Sequence, residues 1–116
     1  MNDTLNELYE VIRSRKGSSE EGSYTAYLFR EGLDKILKKI GEESSETIIA
    51  AKSLEAVPDD EKKRSDLENE VSDLLYHLLV MLAERDIPLE NIDAILQARS
   101  AKTGNLKKFK DVDKNS

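Results

Sequence analysis

Residues 68–82 read ENEVSDLLYHLLVML, and the way this stretch folds decides the architecture of the chain. Leu67, Val71, Leu74, Leu75, Leu78 and Leu82 recur at helical spacing, so a helix over about residues 60–85 is predicted, with that stripe inward. Apolar residues also fill the intervening positions: Tyr76, Leu79, Val80 and Met81. A helix apolar on most sides needs more partners than one small chain supplies. A symmetric dimer that completes a bundle is the simple remedy.

Working outward, the same period recurs. Leu5, Leu8, Tyr9 and Ile12 predict a first helix over residues 4–16, where Thr4 and Glu7 have capping-box spacing. GSSEEGS breaks it, and Ser23 can cap a short helix through Arg30 that Gly32 ends. A long helix from Leu33 to about Leu54 carries Leu33, Ile36, Leu37, Ile40, Ser44, Thr47, Ile48 and Ala51 inward. Gly41 inside it costs about 1 kcal/mol relative to Ala, a cost that close approach of another helix or a ligand would offset. Pro58, Asp59 and Asp60 mark the next turn and N-cap. Pro88 suits a first helical position of a fifth helix to about Ala101, with Leu89, Ile92, Ile95 and Leu96 inward and Gly104 ending it. Residues from about 104 to 116 have no pattern and are expected to fray. The expectation is therefore an all-α, antiparallel bundle of about five helices in a single domain spanning residues 1–116, completed by dimerisation.

Composition narrows function. The 116 residues include no cysteine, which excludes disulfides and thiolate metal sites and is compatible with a reducing cytoplasm. The N-terminus has no secretory-signal pattern, and no apolar run approaches the ~20 residues that span a bilayer. A cytoplasmic protein with no membrane partner is expected. The net charge of −6 disfavours nucleic-acid binding. Charge is also segregated. Residues 41–73 hold eleven acidic and four basic side chains, whereas residues 99–116 hold six basic and two acidic.

The acidic residues have a geometry. With Leu33 at zero and about 100° per residue, Glu43 falls near 280°, Glu46 near 220° and Glu42 near 180°. Glu43 thus borders the apolar stripe, Glu46 lies beside it, and Glu42 points further out. On the next long helix, with Leu67 at zero, Glu70 falls near 300° and Asp73 near 240° on the same scale of about 100° per residue. The pattern is E-x-x-E, 23 residues, then E-x-x-D. If the two helices pack antiparallel, the two carboxylate pairs face one another across a groove. Four such charges repel unless protons or a cation neutralise them. Hard oxygen ligands suit Mg2+, with Mn2+ a second choice, and Mg2+ commonly shares its sphere with substrate phosphates.

KIGEESSETIIAAK (residues 39–52) followed by ENEVSDLLYHLLVML resembles the phosphoribosyl-ATP pyrophosphatases of histidine biosynthesis, within the MazG-like all-α nucleoside-triphosphate pyrophosphatases. SYTAYLFREGLDKILKKIGEE (residues 23–43) resembles the phosphoribosyl-ATP branch in particular. The resemblance covers about residues 5–108 and implies Mg2+-dependent hydrolysis of phosphoribosyl-ATP to phosphoribosyl-AMP and pyrophosphate. It implies Glu43, Glu46, Glu70 and Asp73 as metal ligands, with Glu42 completing the motif as a ligand or orienting group. Glu46, with Glu43, is the candidate catalytic carboxylate. Ser44-Ser45 departs from the small apolar residue and Thr common in the family. The form without a fused cyclohydrolase domain is expected. The alternatives are a housekeeping triphosphate pyrophosphatase of the same superfamily, or a helical dimerisation module with an acidic solvated face.

Other residues have a claim on the substrate. Lys39 lies on the side of Glu43 and Glu46, where it can hold a phosphate or pair with Glu43 at i,i+4. Lys35 and Arg30 have a similar claim. His77, the one histidine, follows Asp73 by a turn, within reach of a ligand carboxylate or of substrate. Arg99, Lys102 and Lys107 sit in the basic segment RSAKTGNLKKF, which the resemblance places near the ribose phosphates. Tyr24 and Tyr27 can stack on a base or simply pack.

Overall fold

The structure is a computed structural model that describes residues 3–19 and 21–101. Within them the chain is all helical: α1 (Asp3–Ser14), α2 (Tyr24–Glu31), α3 (Leu33–Ala56), α4 (Glu61–Glu84) and α5 (Leu89–Ala101). Among the described residues, no helix is long and apolar enough to cross a membrane. The expected frayed tail, with Lys102, Gly104 and Lys107, lies outside the described residues.

Local chemistry sets the helix ends. The Ser23 side chain accepts from the Ala26 N–H and starts α2. Gly32 separates α2 from α3 by a single residue, with φ 96° and ψ 179°, a conformation open essentially only to glycine. Asp60 caps α4 by accepting from the Lys63 N–H at 3.0 Å. Two expectations need correction. Thr4 lies inside α1 rather than before it, so the capping box is not formed there. Pro88 precedes α5, and its carbonyl accepts from the Asn91 N–H at 3.1 Å.

The long helices α3 and α4 form an antiparallel hairpin. Glu43 meets His77, Glu46 lies by Glu70, and Ser53 shares a cavity with Lys63, so rising numbers on one helix run with falling numbers on the other. The core sits at one end of this hairpin. Tyr9, Ile12, Leu28, Ile36, Leu79, Val80, Ala83 and Leu89 bury together, α1 and α2 closing over the first turns of α3 and the last of α4. Each large side chain so buried contributes about 1.5–3 kcal/mol. The Tyr9 hydroxyl donates to the Ile87 carbonyl and ties α1 to the α4–α5 loop.

The buried face of α4 is not the stripe expected from spacing. His77, Leu79, Val80 and Ala83 are buried, while Val71 and Leu75 are exposed. In α3 only Ile36 and Glu43 are buried, and Leu37 and Ile48 are exposed. The reason is that α1 and α2 cover one end only. Beyond Glu43 on α3 and before His77 on α4, no side chain is buried. Gly41 has open space where a side chain would stand, so no neighbour within the described residues requires a glycine there.

Candidate functional site

The acidic cluster lies where the packed core gives way to the bare part of the hairpin. Glu43, Glu46 and Glu70 each offer a carboxylate oxygen, and these oxygens lie within 4.8 Å of one another. Burial is graded across the three. Glu43 is buried, Glu70 half-buried and Glu46 exposed. Glu43 and Glu46 come together because they are three apart on α3, one turn beyond the last residue that α3 commits to the core.

Two oxygens of this group, Glu43 Oε1 and Glu70 Oε2, are buried with no hydrogen-bond partner among the described residues. The cost of that arrangement registers on Glu70. Its carboxyl is held above the usual carboxylate range, first by a hydrogen bond with the Glu46 side chain, then by desolvation and the charges of Glu46, Asp73 and Glu43. Buried acceptors without donors are expensive, and three acceptor-only groups at this separation fit a hard divalent cation.

The remaining expected ligands stand apart from this trio. Asp73 is exposed and close enough for its charge to act on Glu70, but it contributes no atom to the 4.8 Å group. Glu42 points outward and pairs with Lys39 at 3.9 Å, so the Lys39 partner is Glu42 at i,i+3 rather than Glu43.

His77 is buried beside the cluster. Its Nδ1 abuts Glu43 Oε1 and lies 2.9 Å from the Asp73 carbonyl oxygen, and its Nε2 lies 2.9 Å from the Tyr24 hydroxyl. Tyr24 stacks on Tyr27 and Tyr76, and the imidazole meets Tyr24 and Tyr76 edge-on. Burial, followed by the neighbouring Tyr76 and Glu43, raises the Tyr24 pKa, so the hydroxyl keeps its proton.

The expected substrate-binding cations are dispersed. Lys35 Nζ lies 5.9 Å from the centre of the Tyr27 ring. Arg30 lines a cavity of about 380 Å³ whose walls include none of the carboxylates. Arg99 is exposed in the last turn of α5. Sequence reasoning missed Lys63. With Ser53, Asn69, Glu46 and Glu70 it lines a cavity of about 320 Å³ alongside the carboxylates. The signal was available, because Lys63 precedes Glu70 by two turns and so shares its face of α4.

The family model described as Phosphoribosyl-ATP pyrophosphohydrolase matches residues 5–100. The chain is 53% identical over 108 residues to the phosphoribosyl-ATP pyrophosphatase of Listeria monocytogenes serotype 4b, covering 93% of this chain and 96% of that one. It is 51% identical over 106 residues to the phosphoribosyl-ATP pyrophosphatase of Clostridium acetobutylicum, covering 91% and 89%.

Proposed function

The chain belongs to the phosphoribosyl-ATP pyrophosphohydrolase family, and on that premise we propose that it hydrolyses phosphoribosyl-ATP to phosphoribosyl-AMP and pyrophosphate, the second step of histidine biosynthesis, with Mg2+ as cofactor. The observation that carries this reading is the convergence of Glu43, Glu46 and Glu70, with two buried oxygens that have no aligned hydrogen-bond donor among the described residues.

Glu43, Glu46 and Glu70 would hold the cation, Asp73 joining from the rim of the groove, and Mn2+ would serve in place of Mg2+. When bound, the cation supplies positive charge to the phosphate oxygens and acidifies a water. The protein does the rest. Glu46, the exposed member of the trio, accepts a proton from the water that attacks at the α–β bond. Lys39, free to leave Glu42 at a surface where such pairs are weak, offsets charge on the departing pyrophosphate. Lys63 sits at the far side of the adjoining cavity, where an ammonium suits a phosphate oxygen. Arg30, Lys35, Arg99, Lys102 and Lys107 are assigned to the outer parts of the substrate. Glu42 keeps Lys39 in place until substrate arrives. The working unit is a homodimer, and the compartment is the cytoplasm.

The test is pyrophosphate release from phosphoribosyl-ATP with and without Mg2+, for the wild type and for Glu70→Ala. Mg2+-dependent release by the wild type, lost in a folded Glu70→Ala protein, is expected. Release that ignores Mg2+, or clear preference for free triphosphates such as dUTP or dCTP, would count against this function.

A further inference from the structure

The trio needs the Glu43 carboxylate fixed in place, and the buried His77 stands beside it. The Asp73 carbonyl, four residues earlier on α4, can only accept a hydrogen bond, so Nδ1 carries a proton and donates it there at 2.9 Å. On the other side of the ring, Nε2 lies 2.9 Å from the Tyr24 hydroxyl. With both nitrogens engaged and the Tyr24 and Tyr76 rings packed edge-on, the imidazole cannot turn.

The consequence falls on Glu43. Its Oε1 abuts Nδ1, yet has no aligned donor, because the N–H is taken by the Asp73 carbonyl. That contact fixes where this oxygen stands. We infer that His77 is a positioning residue for Glu43, itself held by Tyr24 and the Asp73 carbonyl, and that it keeps the carboxylate in place for a divalent cation. This inference rests on the cation reading above. Partners that orient a metal ligand in this way are commonly worth about 10- to 100-fold in metal affinity.

His77 is the one histidine in the chain, so long-range 1H–15N correlation of 15N-labelled protein reports a single imidazole. In metal-free wild type a proton on Nδ1, facing the Asp73 carbonyl, is expected, and an Nδ1 without one would overturn the inference. Mn2+ affinity is then measured by electron paramagnetic resonance. His77→Leu should weaken binding by about 10-fold or more, and His77→Asn, whose amide N–H can stand where Nδ1–H stood, should recover most of the loss. Equal Mn2+ affinity in wild type and His77→Leu overturns the positioning role alone. A wild type that binds no Mn2+ overturns the cation reading, and this role with it. Should His77→Leu fail to fold, Tyr24→Phe decides. Tyr24 is 44% exposed, so the substitution removes little beyond a hydroxyl. Several-fold weaker Mn2+ binding supports the inference, and unchanged binding overturns it.

Discussion

At the scale of the residue, Glu70 concentrates the conflict between fold and function. It stands among the charges of Glu46, Asp73 and Glu43, with one oxygen buried and undonated. Such crowding lowers stability unless a proton or a cation relieves it. Glu70→Gln should therefore raise the melting temperature of the metal-free protein, since the variant keeps the volume and removes a repelling charge. Adding Mg2+ should reverse the ranking. A ligand at 100 times its Kd stabilises the folded state by about 2.7 kcal/mol, a gain open to the wild type and closed to the variant. Calorimetry with and without Mg2+ measures both. Equal Mg2+ gains in the two proteins would remove Glu70 from the cation site.

At the scale of the element, the helix ends behave as their side chains dictate, and one end is held by charge. The Lys16 ammonium donates to the Ala83 and Glu84 carbonyls at 3.0 and 3.1 Å and to Asp86 Oδ1 at 2.8 Å, closing the C-terminus of α4. Asp86 sits just past that end with φ 56°. Lys16 depresses the Asp86 pKa, by hydrogen bond first and by charge second. A depressed carboxylate binds fewer protons folded than unfolded, so its contribution is present above the unfolded value of 3.8 and fades as pH falls through the lower folded one. Asp86→Asn should consequently melt below the wild type at neutral pH, with the gap closing in acid. A gap independent of pH would assign the loss to something other than this pair. Much at this scale was legible beforehand: Ser23, Gly32 and Asp60 are read directly as caps and breaks, and the 3.6-residue period placed Glu43 and Glu46 on one flank. The face of α4 was not legible. With Leu74 to Leu82 apolar on nearly every side, periodicity cannot choose which half is covered, and the choice falls to α1 and α2 from distant sequence. The Tyr24–His77 contact spans 53 residues and leaves no trace in local spacing.

At the scale of the whole molecule, the described residues leave the hairpin half covered. Among the described residues, Ile48 is 69% exposed, Ile49 64%, Leu75 43% and Val71 39%, all on the part of α3 and α4 that the core does not reach. Leu75 also walls an apolar groove of about 300 Å³, with Leu5, Leu78, Leu82, Leu89 and Ile92. A two-helix hairpin with bare apolar flanks is stable when a second pair of helices closes on it, and a second copy of the same chain offers an identical pair related by a two-fold axis. A stable interface of this kind buries about 800 Å² per partner, within reach of a hairpin whose helices are 24 residues each. The cavity beside Glu46 and Glu70 opens along the same uncovered stretch, with Ile49 and Ala50 in its wall, so a second copy closing there would also wall the site. Sedimentation equilibrium should give about twice the 13.1 kDa chain mass at micromolar concentration, with a melting temperature that rises with protein concentration. Leu75→Glu sets a charge in the groove and should shift the protein toward monomer while lowering activity, although Leu75 is not among the carboxylates or the residues of their adjoining cavity. A wild type that sediments as a monomer, or a Leu75→Glu protein that stays dimeric and fully active, would mean that this face is not what joins two copies.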